Sequence, residues 1–221
     1  MTNIVIITSI INAVSNPLSY TSCRSIYTQK QRYEQSLNSI MSIRKHIKNS
    51  YIIYAEYSNV DKEYDKNISD EVDTYLNFYD NTHVRNIVES RNKGHGESVL
   101  LINVIEYIIK NKFNYDNVYK LSGRYQINND YDFDKINNNG RVTCTMIENQ
   151  KDNICTIFFK ISASQLNDYY KFHLSNQSKF SSGVGAEVMM GSFVSTIENV
   201  CFVDKIGAEG RVAVSGDLVR V

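Results

Sequence analysis

The sequence predicts an α/β fold in which a mixed central sheet is flanked by helices and the second half is α+β, and three observations carry this. Ile4 to Ile11 is a β-branched, almost continuously apolar run, the pattern of a strand buried on both faces. An amphipathic stretch and a second apolar strand follow it with short joints, which is the start of a βαβ unit. The clearest helical periodicity, at Val99 to Ile109, is followed in turn by a strand at Val118 to Tyr125.

The first run ends in the polar, turn-forming Asn12 to Tyr20, which holds the only proline, Pro17. Between Gln29 and Lys48, Tyr33, Leu37, Ile40, Met41 and Ile47 fall near helical spacing, and Asn49-Ser50 stops the pattern. Tyr51 to Tyr57 is the second strand. Asp61 to Asp80, acidic and tyrosine-rich, reads as loop plus one short helix. Val104, Ile105, Ile108 and Ile109 form the apolar face of the next helix, opened by the glycine-bearing Lys93 to Ser98. Asn114 to Asn117 is a turn, and Val118 to Tyr125 a short strand running into a polar loop. Asn137 to Gly140 is a turn by composition. Val142 to Ile147 and Ile154 to Ile161 pair as a hairpin across Glu148 to Asn153. Helices are expected at Ser164 to Leu174 and Ala186 to Glu198, a strand at Val200 to Ile206, and an alternating segment at Arg211 to Gly216.

A length of 221 residues suits one ordinary domain. Lys+Arg and Asp+Glu are 24 each, so no global field draws the chain to nucleic acid or an anionic membrane. Locally the balance is uneven: Arg24 to Lys48 is basic and Glu56 to Asp80 acidic. Cys23, Cys144, Cys155 and Cys201 make no C-x-x-C pair, which argues against structural zinc and for reduced thiols in a cytoplasmic compartment. The start has no basic region and only a short apolar run, so neither a signal peptide nor an integral membrane segment is expected.

The phosphate loop Gly-x-x-x-x-Gly-Lys-Ser/Thr, the Gly-x-Ser-x-Gly elbow and His-Glu-x-x-His are all missing, and Gly94 to Val99 lacks the third glycine of a dinucleotide fingerprint. Gly94 and Gly96 at the mouth of a helix still permit close backbone approach, and Arg91 and Lys93 add charge: a diphosphate contact, or an ordinary helix start with His95 merely solvated. Lys120-Leu121-Ser122-Gly123-Arg124-Tyr125 places a flexible glycine and a guanidinium at a strand's C-terminal edge, where open α/β sheets bind ligands. Asp130, Asp132 and Asp134 alternate, as in an oxygen-ligand metal site or a solvated loop. Glu187 sits at the first turn of a helix, where it is a general base or a dipole-stabilised helix start. Glu209, Arg211 and Asp217 line a site or stabilise a hairpin.

In their order these parts resemble small GT-A-type glycosyltransferases, and Lys120 to Tyr125 and Asn92 to Ser98 are similar to segments of glycosyltransferase-like proteins of bacteria and large DNA viruses. The resemblance implies one domain with a nucleotide-sugar-binding half (1–125) and an acceptor-side half (126–221). It places the nucleoside against Thr8, Ser9 and Glu56 and makes Glu187 the base towards a glycan or other hydroxyl acceptor; with Arg91, Lys93, Gly94, Gly123 and Tyr125 as further donor contacts, Arg124 is the catalytic charge on the leaving diphosphate. Ser122 to Tyr125 stands where the family carries an Asp-x-Asp metal motif. The resemblance therefore implies either Mn²⁺ or Mg²⁺ held through Asp130 or Asp132, or a metal-independent site in which Arg124 supplies the charge. The alternatives are a non-catalytic glycan-binding module, given sixteen tyrosines, and a sugar nucleotidyltransferase.

Overall fold

The structure is a computed structural model that describes residues 2–138, 142–148, 150 and 152–221. A seven-stranded mixed sheet in the order β3-β2-β1-β4-β7-β6-β8 forms its centre. The strands are β1 (Asn3–Ser9), β2 (Ser50–Glu56), β3 (Thr74–Asn77), β4 (Asn117–Ser122), β6 (Val142–Cys144), β7 (Phe158–Ser162) and β8 (Val200–Phe202). The first four run parallel, and β7 is antiparallel to both β4 and β6. A three-stranded antiparallel sheet, β10-β9-β5, joins β5 (Tyr125–Ile127) to the hairpin β9 (Ala208–Arg211) and β10 (Leu218–Arg220).

All seven residues of β1 are buried, as a strand between two neighbours and two helical layers must be. Its side chains alternate between two cores. Ile4 and Ile6 face α4 (Lys93–Lys110), α6 (Ala163–Ser175) and α8 (Ala186–Val194), through Leu101, Val104, Leu166 and Phe193. Val5 and Ile7 face the opposite layer, where α1 (Gln29–His46) and α2 (Lys62–Glu71) contribute Ile40, Ile43 and Ile68. Thr28 and Gln31 form a reciprocal capping box that starts α1, and Arg44, Lys45 and His46 suit its C-terminal dipole.

Several elements depart from expectation. Met41, read as part of the apolar face of α1, is 59% exposed. In the acidic stretch, β3 is an additional edge strand, and α3 (Thr82–Val88) precedes α4. The helix expected from Val99 and opened by Lys93 to Ser98 already begins at Lys93, so Gly94 and Gly96 lie inside the first turns of α4, whose N-cap is Asn92. A Cβ on Gly96 would stand 3.0 Å from Val88 Cα, so the glycine serves the close packing of α3 on α4. The hairpin pairing of β6 with β7 is present over shorter strands, extended by a Met146–Ile154 bridge; its expected turn includes residues 149 and 151, outside the described residues. The turn at Asn137 to Gly140 likewise reaches residues 139 and 140, outside them. Asn137 itself belongs to α5 (Phe133–Asn138), held there by Asn117 and Tyr119, which donate to its Oδ1 over 2.9 and 3.1 Å.

The strand expected to continue to Tyr125 breaks at Gly123, and β5 doubles back along α1. Three serines of α1 hold it. Ser36 donates to the Gly123 carbonyl over 3.1 Å, Ser39 to the Tyr125 carbonyl over 2.6 Å, and Ser42 Oγ accepts the Ile127 N–H over 2.9 Å. This edge of β5, which would otherwise be unpaired inside the protein, is satisfied by side chains instead of another strand. Replacing Ser42 with Ala leaves a buried N–H without its partner and is expected to cost about 1–3 kcal/mol in urea unfolding; an unchanged midpoint would show that the ladder carries no stability.

Candidate functional site

The sheet order turns at β1: β2 lies on one side and β4 on the other, and at such a switch point the loops leaving the strand ends part to form a crevice. A cavity of about 240 Å³ opens there. It is lined by Thr8, Ser9 and Ile10 after β1, by Ser122 to Tyr125 after β4, and by Arg24, Arg32, Lys93, Glu97, Thr156, Glu187 and Val212. A second cavity of about 200 Å³ shares Lys93, Glu97 and Glu187 with it, and adds Tyr20, Asn92, Gly94, Phe180 and residues 183–186.

Gly123 permits this geometry. Its N–H donates to the Thr8 carbonyl over 2.9 Å, and a Cβ would come within 2.9 Å of Ser9 Cβ and 3.1 Å of Ile7 Cγ2. The strand ends therefore touch, and Arg124 is delivered to the cavity wall over the Tyr125 ring, 5.1 Å from its centroid. The Nε of Arg124 is buried and has no hydrogen-bond partner among the described residues.

Lys120 is buried in β4 and lines neither cavity. Its side chain is 2% exposed, and its ammonium pairs with Glu97, donates to Ser122 Oγ over 2.8 Å and donates to the Thr156 carbonyl over 2.6 Å. Burial opposes ionisation of Glu97, but the ammonium groups of Lys120 and Lys93 outweigh it and hold the carboxyl below its ordinary range. Thr156 Oγ1 donates to Glu187 Oε1 over 3.2 Å, fixing the second carboxylate at the junction of the cavities.

Cations dominate the remaining wall. Burial, and then the charge of Arg124, push the Arg32 guanidinium down to about 10. The same two causes lower Lys93, an exposed residue that lines both cavities. Arg24 is committed to structure: it donates to the carbonyls of Asn16 and Val88 over 2.9 Å and of Glu89 over 2.7 Å, and to that of Ser90, tying the loop after β1 to the end of α3.

Of the residues singled out in the sequence, Thr8, Ser9, Lys93, Gly123, Arg124, Tyr125 and Glu187 converge on the first cavity, and Gly94 lines the second. Glu56 lies beneath it, fully buried, its Oε1 accepting from Ile11 N (3.0 Å), Ser58 N (2.8 Å) and Ser58 Oγ (2.5 Å); burial raises its pKa. It shapes the loop after β1 and lines neither cavity. Arg91 is exposed and also lines neither. Asp130 and Asp132 follow β5 away from the cleft into turn contacts, with Asp132 accepting from Lys135 N over 3.0 Å. Among the described residues no three His, Cys, Asp or Glu side chains gather as a metal site. Glu209 accepts from Gln126 (3.1 Å) and Arg220 (3.1 Å), and Arg211 donates to the Gly216 carbonyl (2.8 Å), so both brace the C-terminal hairpin. Arg32, Glu97, Lys120 and Thr156 were given no role from sequence. Glu97 and Lys120 stand inside the two quoted strings, and Arg32 precedes Ser36 by one helical turn, the only signals the chain offers.

No protein-family model matches this sequence, and no curated protein matches it either. The fold is similar to two crystal structures of the glycosyltransferase GlyE of Streptococcus pneumoniae TIGR4, with TM-scores of 0.50 and, for the apo-form, 0.54. Identity is 9% in both, over 92% of this chain and 45% of the other, so the chain spans less than half the length of the structures it matches. The chain has a glycosyltransferase-like fold, and no described helix is long and apolar enough to cross a membrane.

Behind the site, His173 of α6 is buried, 2.8 Å from Ser98 Oγ and stacked on Phe180. Burial lowers its pKa to about 4, against the opposing charge of Glu97. The ring is neutral when folded and takes up a proton near 6.5 when unfolded, so stability falls as pH drops from about 6.5 to 4, by on the order of 3 kcal/mol. Urea titrations at pH 7, 5.5 and 4.5 are expected to show this slope, and His173→Gln to reduce it; parallel slopes for the two proteins would contradict the assignment.

Proposed function

We propose that this chain is a nucleotide-sugar-dependent glycosyltransferase of the GT-A type, acting on a glycan or other hydroxyl acceptor. The observation that carries the reading is a cavity at the β1/β4 switch point where Arg32, Lys93 and Arg124 converge and which meets a second cavity at Glu187. A cationic pocket fits the diphosphate of a donor, and a carboxylate at the junction fits a base between donor and acceptor. Residues 1–125 then supply most of the donor side and residues 126–221 the acceptor side, in one domain. Four free cysteines accord with a cytoplasmic setting for the reaction.

In this reading the nucleoside lies against Thr8, Ser9 and Ile10, beneath Val212 from the C-terminal hairpin. Glu56 acts indirectly, by holding the backbone of residues 11 and 58. The diphosphate faces Arg124, Arg32 and Lys93, and the sugar reaches the junction. The acceptor, entering by the second cavity, presents its hydroxyl to Glu187. The hydroxyl oxygen forms a bond to the anomeric carbon, while the bond from that carbon to the phosphate oxygen breaks and its electron pair leaves with the nucleoside diphosphate. The hydroxyl proton passes to the Glu187 carboxylate. Thr156, donating to Glu187 Oε1, fixes the carboxylate's orientation.

Nucleoside diphosphate release across a panel of sugar nucleotides tests this. Release is expected with at least one donor, and Glu187→Gln is expected to lower kcat by about 10²–10⁴-fold while leaving donor affinity unchanged. No release from any donor by folded protein, or full activity in Glu187→Gln, would sink the reading.

A further inference from the structure

The resemblance to GT-A enzymes implies a divalent cation at the end of the strand corresponding to β4, and the residues there do not fit one. Ser122 Oγ already accepts from Lys120. Gly123 has no side-chain donor atom, its carbonyl already accepts from Ser36, and a Cβ there would collide with Ser9. Arg124 brings a positive charge, and Tyr125 lies under it. The adjoining carboxylate, Glu97, is bound by a lysine whose side chain is 2% exposed. A hard divalent ion needs several oxygen ligands, anionic ones among them. Here it would meet Lys93, Lys120 and Arg124, with a neutralised Glu97 and the single carboxylate of Glu187.

The same constellation suits an anion. Lys120 spends its three N–H donors on Glu97, Ser122 and Thr156, so it is a fixed charge and not a ligand-binding group. Arg24 is held by backbone carbonyls. Arg32 is partly committed, its Nε to the Ile10 carbonyl and its Nη1 to Ser25 Oγ over 3.3 Å; with Lys93 and Arg124 it lies on the wall of one cavity, and among the described residues the buried Nε of Arg124 has no partner. Burial, and then repulsion from Arg124, lower the pKa values of Arg32 and Lys93, and a bound dianion relieves that repulsion.

We infer that the donor's diphosphate is held, and the charge that builds on it as the sugar leaves is neutralised, by Arg32, Lys93 and Arg124 with no divalent cation, the Lys120–Glu97 pair filling the place of a metal centre. The inference rests on the glycosyltransferase reading. Lys120 and Glu97 are positioning residues in it: their pair ties β4 to the first turns of α4, so that Arg124 and Lys93 line the same cavity.

Calorimetric titration with UDP, GDP, ADP, dTDP and inorganic pyrophosphate, in EDTA and again in MnCl₂ and MgCl₂, tests it. At least one nucleoside diphosphate is expected to bind with the same affinity, to within about twofold, in all three buffers. Arg124→Gln and Lys93→Gln, checked for folding by circular dichroism, are each expected to weaken it about tenfold or more in EDTA, the loss of one charged hydrogen bond. Binding that EDTA abolishes, or that Mn²⁺ tightens by about tenfold or more, overturns the metal-free site and leaves the glycosyltransferase reading standing. Wild-type affinity in both variants overturns the cationic clamp. Absence of binding by every nucleotide in every buffer overturns the parent reading and this inference with it.

Discussion

The ion pair between Lys120 and Glu97 is the interaction on which the cleft depends. It joins β4 to the first turns of α4, and the Thr156 carbonyl brings in the segment before β7. A charge this deep is tolerated only because each N–H of the ammonium is used, and removing one partner of such a pair typically costs about 3–5 kcal/mol. The pair adds little net stability over a well-packed apolar pair. What it adds is registry: a lysine with these three partners admits one placement of the helix on the sheet. Both cavities of the site are lined by Glu97, which shows how central that placement is.

Around this pair the backbone is organised by small polar contacts. Gly123 lets the end of β4 press on β1, and the serine ladder of α1 then leads β5 back beside the helix, away from the cleft. Tyr54 donates to Ser36 over 2.7 Å, coupling the ladder to β2. The reversal takes Asp130 and Asp132 away from the strand ends and leaves Arg124 at the cavity wall. One turn in the chain thus decides which charged groups meet a ligand and which meet solvent.

Much of the fold was legible because burial on both faces leaves a simple mark. Ile4 to Ile7, Ile52 to Ala55 and the apolar face of α4 announce strands and a helix by composition and period alone. Edge elements were less legible: β3 pairs on one side only, Thr74 to Leu76 are half-buried and Asn77 exposed, and the strand carries no strong alternation. Gly94 and Gly96 could be placed at the mouth of α4 but not within its first turns, because glycine's local preference and its use in close helix packing leave the same letter. Serines 36, 39 and 42 form a stripe beside the apolar one, yet a buried serine and a solvated one look alike until the partner backbone is known.

The candidate site divides the same way. Residues at strand ends, Thr8, Ser9, Gly123 and Arg124, could be picked out because parallel sheets bind ligands at that edge. Glu187 stood out at a helix start. Arg32, Glu97 and Lys120 come from a helix face, a helix turn and the interior of a strand, and nothing in their local sequence distinguishes a cleft-lining charge from a solvated one. By itself the sequence determined the layered α/β arrangement and the strand-end candidates, since both follow from hydrophobic period and chain direction. Only the tertiary structure decided which charges are paired, which are buried and which share a cavity, because electrostatic partnership depends on distances between segments that lie far apart along the chain.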